Sequence, residues 1–268
     1  MRFRLKLFAL DFPAILPVNY QYPLSAVIYK ILQQADADYS RFLHETGYKQ
    51  SAGSLKAFKL FTFSDIRTSF KVHGDRMFVR SPEAELIVSF HLPKAAEIFI
   101  RGLFMNQEIQ IADRRNRTKF RVNQVESLPL GLSKEETQEI ILQPLSPIVC
   151  GKPNESGTYS FLAPEHSDFV PQLMYNWQSK GKTVFGELKE DDFANANMEV
   201  LFYQNLPKAR LTTIKAGTLA ETKIKGYVNF QLKAKGKRRM LELLINSGVG
   251  VYNSLGMGSV QVRKNRSF

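Results

Sequence analysis

The chain has 268 residues, is 44% hydrophobic and carries a formal net charge of +12 with an isoelectric point near 9.7. That length holds two ordinary domains or one large one, and that apolar share excludes wholesale disorder. The charge points to an anionic partner, nucleic acid before membrane surface, while the single cysteine, Cys150, excludes an internal disulfide and fits a reducing cytoplasm.

The first residues, Met1-Arg-Phe-Arg-Leu-Lys-Leu-Phe8, alternate charged and apolar side chains, which predicts a strand over 2–10 with one wet face. A signal peptide keeps its charges ahead of an unbroken apolar run, and no stretch approaches the ~18 apolar residues of a membrane span. A helix follows from about Tyr22-Pro23, then strand-like segments near 59–64 and 76–80, a helix over 93–105, and strands near 108–111 and 117–125. The stretch Leu128-Pro-Leu-Gly-Leu-Ser-Lys-Glu-Glu136 reads as a boundary. Beyond it come a strand at 139–142, a helix at 164–179, strands at 198–203, 209–215 and 225–233, a helix at 237–246 and a last strand at 258–263. The order β-α-β-β-α-β occurs twice, which predicts an α+β chain of two tandem ferredoxin-like domains, residues 1–130 and 137–268.

Between the last helix and the last strand lies Gly248-Val-Gly250-Val-Tyr-Asn-Ser-Leu-Gly256-Met-Gly258. Two Gly-x-Gly pairs bracketing five residues predict a loop whose backbone N–H groups nest phosphates, although Gly248 alone also suits a helix C-cap. The third glycine of a dinucleotide fingerprint is replaced by Asn253, and no lysine follows Gly258-Ser259 as a Walker loop requires, so a longer polyphosphate backbone fits better. Lys233, Lys235, Lys237, Arg238 and Arg239 crowd the start of the last helix, against its dipole at a few tenths of a kcal/mol each. A hairpin carrying Arg114, Arg115 and Arg117 offers a second basic patch, and two patches imply an extended ligand crossing between the domains. Four scattered histidines and one cysteine give no zinc spacing, so neither a metal nor a cofactor is expected.

The segments Leu16-Pro-Val-Asn-Tyr-Gln-Tyr-Pro-Leu-Ser-Ala-Val-Ile-Tyr29, Phe42-Leu-His-Glu45 and Lys59-Leu-Phe-Thr-Phe-Ser64 resemble the CRISPR repeat-cleaving endoribonucleases, the sixth of the CRISPR-associated proteins. The glycine loop matches the signature loop of the repeat-associated superfamily to which they belong. The resemblance is close over about the first 65 residues and the last 25; between them only the layout agrees. It implies metal-independent cleavage of precursor CRISPR RNA, with Tyr29, His44 and Lys59 as the catalytic set and repeat RNA as partner. It also admits effector-complex subunits or a second copy of the chain as partners. Each residue has a plainer reading. Tyr29 sits among Val27, Ile28 and Leu32 as a core tyrosine does, a lone His44 suits a structural role, and Lys56 or Lys49 competes with Lys59. His73, His91 and His166 lack a matching context and read as surface residues.

One continuous helix from 29 to 44 would hold the two side chains about 22 Å apart. The chain must therefore break, and Asp36-Ala-Asp38 supplies N-cap residues for a short second helix. The chemistry implied is attack of a ribose 2′-hydroxyl on its own 3′-phosphate, leaving a 2′,3′-cyclic phosphate and a 5′-hydroxyl. Histidine serves as base or acid, lysine offsets the phosphorane charge, and tyrosine orients the hydroxyl. Which of Tyr29 and His44 is the base stays open. Two other readings compete: a non-catalytic RNA-binding subunit, and a metal-dependent nuclease built on the acidic run Glu190-Asp191-Asp192, which reads as a solvated loop.

Overall fold

A computed structural model of the chain describes residues 1–51, 53–54, 56–154, 159–186, 190–193, 195–202, 206–216 and 218–263. In β1 (Arg2–Ala9) the alternation turns Leu5, Leu7 and Ala9 into the core and leaves Arg4, Lys6 and Phe8 on the other face. Two helices follow, α1 (Gln21–Ala35) and α2 (Ala37–Glu45), then β2 (Phe61–Phe63), β3 (Glu83–Phe90), α3 (Pro93–Met105), β4 (Glu108–Ala112) and β5 (Arg117–Ser127). The sheet runs β2-β3-β1-β5-β4, antiparallel throughout, with α1 and α3 packed together over its apolar face.

The second half repeats the plan: β6 (Thr137–Pro144), α4 (Phe169–Phe185), β7 (Asn197–Leu201), β8 (Lys208–Ile214), β9 (Thr222–Val228), β10 (Gln231–Lys237), α5 (Arg238–Ser247) and β11 (Val260–Val262). Its sheet runs β7-β10-β6-β11, so both sheets place their ferredoxin-like strands in the same relative order.

The sequence reading misses β3. Leu86, Ile87, Val88, Ser89 and Phe90 are all buried, so no alternation marks them. The predicted segment at 76–80 instead joins 15–17 and 70–73 in a separate three-stranded sheet. The predicted strand at 225–233 is two strands, because Asn229 turns the chain at φ 66° and sends β8–β9 out as a hairpin of its own. Tyr203, at the end of the predicted 198–203 strand, lies outside the described residues. The run Glu190–Asp192 opens a short helix at 190–193 rather than a loop, and Asp192 is buried as the ion-pair partner of Lys237 and Arg239.

The halves are joined through polar contacts. The buried Arg2 guanidinium donates to the Val260 carbonyl (2.8 Å) and to Ser89 Oγ (3.3 Å), and Thr62 Oγ1 donates to the Met257 carbonyl (2.9 Å). Asp65 accepts from Arg210 of the hairpin (2.9 Å) and from Tyr20 and Gln21 of the first half. No helix among the described residues is long and apolar enough to cross a membrane.

His91 is half-buried against the Phe185 ring, not a surface residue, and burial pushes its pKa down from 6.5 to about 4. Between those values the unfolded chain binds a proton the folded chain refuses. Stability is therefore intact above pH 6.5 and falls as the pH drops towards 4, by at most ~3 kcal/mol from this group. Urea unfolding at neutral and acidic pH should show that loss, and His91→Leu should flatten it.

Candidate active site

Asp36 ends one helix and starts the next. Its backbone N–H closes α1 on the Leu32 carbonyl, and its carboxylate accepts from the Tyr39 N–H (2.8 Å) at the head of α2. Ser40 Oγ then donates to the Tyr29 carbonyl (3.0 Å), tying α2 back along α1. The predicted break is present, and it brings the Tyr29 and His44 rings to a centroid separation of 5.0 Å, edge to face. Tyr29 also packs on Phe61 (5.6 Å), while His44 is exposed at the last turn of α2.

Lys59 reaches the end of α2 from the segment that leads into β2. Its Nζ donates to the His44 carbonyl (2.7 Å). Two backbone features aim it there. Gly47 lies at φ 65°, and a Cβ on it would sit 3.0 Å from Lys59 Cδ and 2.9 Å from the Phe58 carbonyl oxygen. Leu60 holds a positive φ of 56°, a conformation that costs a non-glycine residue of order 1–3 kcal/mol. Burial, then the charge of Lys49, lowers the Lys59 pKa. Lys56 packs instead over the rings of Tyr175 (4.7 Å) and Phe58 (5.2 Å), and Lys49 is exposed. A shallow cavity of about 540 Å³ opens beside Tyr29 and His44, with Lys30, Gln33, Arg41 and Glu45 in its rim.

The glycine loop approaches α1 at its apex. Ser25 Oγ of α1 donates to the Ser254 carbonyl (2.6 Å), and the Ser254 side chain makes a hydrogen-bonding contact to the Tyr29 hydroxyl. Burial pushes the Tyr29 pKa up to about 12, with the Ser254 contact acting in the opposite direction. The four glycines are buried, unlike an open phosphate nest. A Cβ on Gly250 would overlap the Val149 carbonyl, one on Gly258 the Val249 carbonyl, and one on Gly256 the Phe63 ring. The N–H groups of Gly256 and Gly258 are already given to the Asn253 and Pro147 carbonyls. These glycines admit backbone on backbone, and the more accessible stretch is 251–255.

Two family models match the chain: "CRISPR-associated protein Cas6, N-terminal" over residues 15–126, and "CRISPR associated protein Cas6, C-terminal" over residues 131–262. The chain belongs to the Cas6 family. It is 26% identical over 253 residues to the CRISPR-associated endoribonuclease Cas6 of Pyrococcus furiosus, covering 94% of this chain and 85% of that one. It is 25% identical over 264 residues to the CRISPR-associated endoribonuclease Cas6 1 of Methanocaldococcus jannaschii, covering 97% and 92%. Among solved structures, a Cas6-related protein from Pyrococcus furiosus superposes with a TM-score of 0.80 at 21% identity, covering 99% of both chains. An RAMP protein described as binding different RNA substrates superposes at 0.78 and 21% identity, covering 98% of this chain and 100% of that one.

None of the basic residues singled out in the sequence lines the Tyr29–His44 cavity of this Cas6 chain. Lys233 pairs with Glu199 (2.7 Å), Lys237 with Asp192 (3.7 Å) and Glu136 (3.8 Å), and Arg238 with Glu242 (2.9 Å). Arg239 pairs with Asp192 and lies over the Phe185 ring (5.0 Å). Lys235 is exposed, as are Arg114, Arg115 and Arg117, with Arg115 paired to Asp75 (3.4 Å). A second cavity of about 610 Å³ between the two sheets is lined by Arg2, Arg4 and Arg263 together with Gln138 and Gln261. Ser254, Lys180 and Gly47 escape the sequence reading; only Gly47, a glycine just past a helix end, carries a local signal.

Gly250→Ala and Gly258→Ala should each cost at least ~3 kcal/mol, because main-chain atoms must move to admit the methyl group. Gly74, at φ 59° with open space around it, is the control. Its alanine variant should cost only the ~1–2 kcal/mol of the left-handed backbone, read by thermal melting. In ¹³C-tyrosine spectra Tyr29 should titrate near 12 where an exposed phenol titrates near 10, and Ser254→Ala should raise it further.

Proposed function

We propose that this Cas6 family member is an endoribonuclease that binds CRISPR repeat RNA and cuts precursor CRISPR RNA by 2′-hydroxyl attack, without a metal ion. The observation that carries the reading is that Tyr29 and His44, from two helices, meet edge to face at one open cavity while Lys59 binds the His44 carbonyl beside it. The two curated relatives, both named endoribonucleases, support the reaction class.

On this reading the roles divide. With its pKa near 12, Tyr29 keeps its proton at neutral pH, so it donates a hydrogen bond to the nucleophile or to a phosphate oxygen and does not act as base. His44 is the exposed imidazole beside it and the acid–base group of the set. It takes the 2′-hydroxyl proton as the oxygen closes on phosphorus, or returns one to the departing 5′-oxygen. Lys59, drawn over the end of α2, faces the excess negative charge of the five-coordinate phosphorus. The 2′-oxygen–phosphorus bond forms as the phosphorus–5′-oxygen bond breaks, and the ends are a 2′,3′-cyclic phosphate and a 5′-hydroxyl. The exposed Lys235 and the Arg114–Arg117 hairpin are assigned to the RNA backbone outside the reacting centre.

His44→Ala should slow single-turnover cleavage of a repeat RNA at least ~100-fold while leaving its Kd nearly unchanged, the usual scale for a lost acid–base group. EDTA should have no effect, and a single 2′-deoxy sugar 5′ of the scissile phosphate should bind and stay uncut. Full activity in His44→Ala removes the histidine from the chemistry. Loss of activity in EDTA restores the metal-dependent reading, and binding without any cleavage favours an RNA-binding subunit.

A further inference from the structure

Lys180, in the middle of α4, is a fully buried lysine with no carboxylate among its hydrogen-bond partners. Its Nζ donates to the Gly248 carbonyl (2.6 Å), the Asn253 Oδ1 (2.7 Å) and the Gly250 carbonyl (3.3 Å). All three acceptors belong to the glycine loop. Asn253 in turn uses its Nδ2 on the Val249 carbonyl (3.1 Å) and the Met257 carbonyl (3.0 Å), so the loop closes around one amine and one amide. Burying an amine this completely is unfavourable unless its donors are used, and here the loop's carbonyl and amide oxygens are what use them. Burial, followed by the nearby charge of Lys56, pushes its pKa down to about 7, and either protonation state of Nζ remains a donor.

The residue after Asn253 is Ser254. Its carbonyl is fixed by Ser25 of α1, and its side chain contacts the Tyr29 hydroxyl. The loop shape that Lys180 dictates is therefore the shape that sets Ser254 against Tyr29. Tyr252, at φ 60°, shows that the loop takes a path a non-glycine residue does not choose alone.

We propose that Lys180 is a positioning residue for the cleavage site: it holds the glycine loop from inside the second half of the chain and so presents Ser254 to Tyr29 across the boundary between the halves. The proposal rests on the reading of the Tyr29–His44 cavity as the cleavage site. It assigns Lys180 no contact with RNA, since the side chain is buried.

The test compares Lys180→Met, Asn253→Ala, Ser254→Ala and the Lys180→Met/Ser254→Ala double variant, in the full chain. Lys180→Met should speed exchange of the Val251 and Gly258 amides at least tenfold, with the β6–β10 ladder unchanged. Near neutral pH it should move the ¹³C resonance of Tyr29 in the direction that Ser254→Ala moves it. Single-turnover cleavage of repeat RNA should slow at least tenfold with Kd within threefold, and the double variant should be no slower than the slower single one. Should Lys180→Met not fold, Asn253→Ala removes the same bond from the accessible side and should give the same exchange and resonance changes. Unchanged loop exchange overturns the proposal, as does an unmoved Tyr29 resonance. Single effects that multiply in the double variant, or a rate loss matched by a loss of RNA affinity, overturn it too. If the wild-type chain leaves repeat RNA uncut, the functional reading fails separately, and the exchange and resonance measurements still decide the role of Lys180.

Discussion

The contact on which the arrangement depends is backbone against backbone, where the glycine loop lies between the halves. Val249 N–H bonds the Gly258 carbonyl and Val251 N–H bonds the Val149 carbonyl, at 2.8 and 3.0 Å. Such an approach leaves no room for Cβ atoms at Gly250 and Gly258. Because the loop is clamped on one side by Lys180 and on the other by Phe63, Thr62 and Ser25, the two sheets cannot shift without breaking it. Glycine here provides closeness, and closeness is what lets the loop of the second half reach Ser25 and Tyr29 of the first.

Within the first half, the cavity comes from two economies of local structure. Asp36 caps both helices at once, so α1 and α2 fold back on each other without a connecting loop. Gly47, just past α2, removes the side chain that would otherwise block Lys59. Histidine, tyrosine and lysine therefore sit on rigid elements whose ends are fixed by hydrogen bonds. His44 is the most exposed of the three. In the proposed reaction, pre-organisation of this kind spares reorganisation as charge develops on phosphorus.

Much of this was legible in the sequence, for identifiable reasons. The charged and apolar alternation of β1, the caps around Asp36 and the repeated element order are short-range signals, and the structure has them. β3 was hidden because a strand buried on both faces loses its alternation. The role of the glycines was visible as a need for unusual backbone, but not its direction: towards Val149 and Phe63 inside, rather than phosphate outside. Lys180 was invisible, since a lysine in the interior of a helix reads as solvated unless the acceptors that surround it are known. The ion pairs of the basic run at 233–239 were hidden in the same way, because the carboxylate partners Glu199, Asp192 and Glu136 are distant in sequence.

The pairing of those cations changes how the net charge of +12 acts. Lys233, Lys237, Arg238 and Arg239 already have carboxylate partners, so they hold β10 and α5 to their neighbours and offer a polyanion only a partly neutralised surface. Charges left exposed, such as Lys30 at the cavity rim and Lys235 on the second sheet, are open to a phosphate backbone with less competition. A polyanion drawn in by the long-range field therefore meets the exposed cations, among them Lys30 beside the His44 cavity. The field brings a polyanion to the protein; the exposed charges, not the total, set where it can settle.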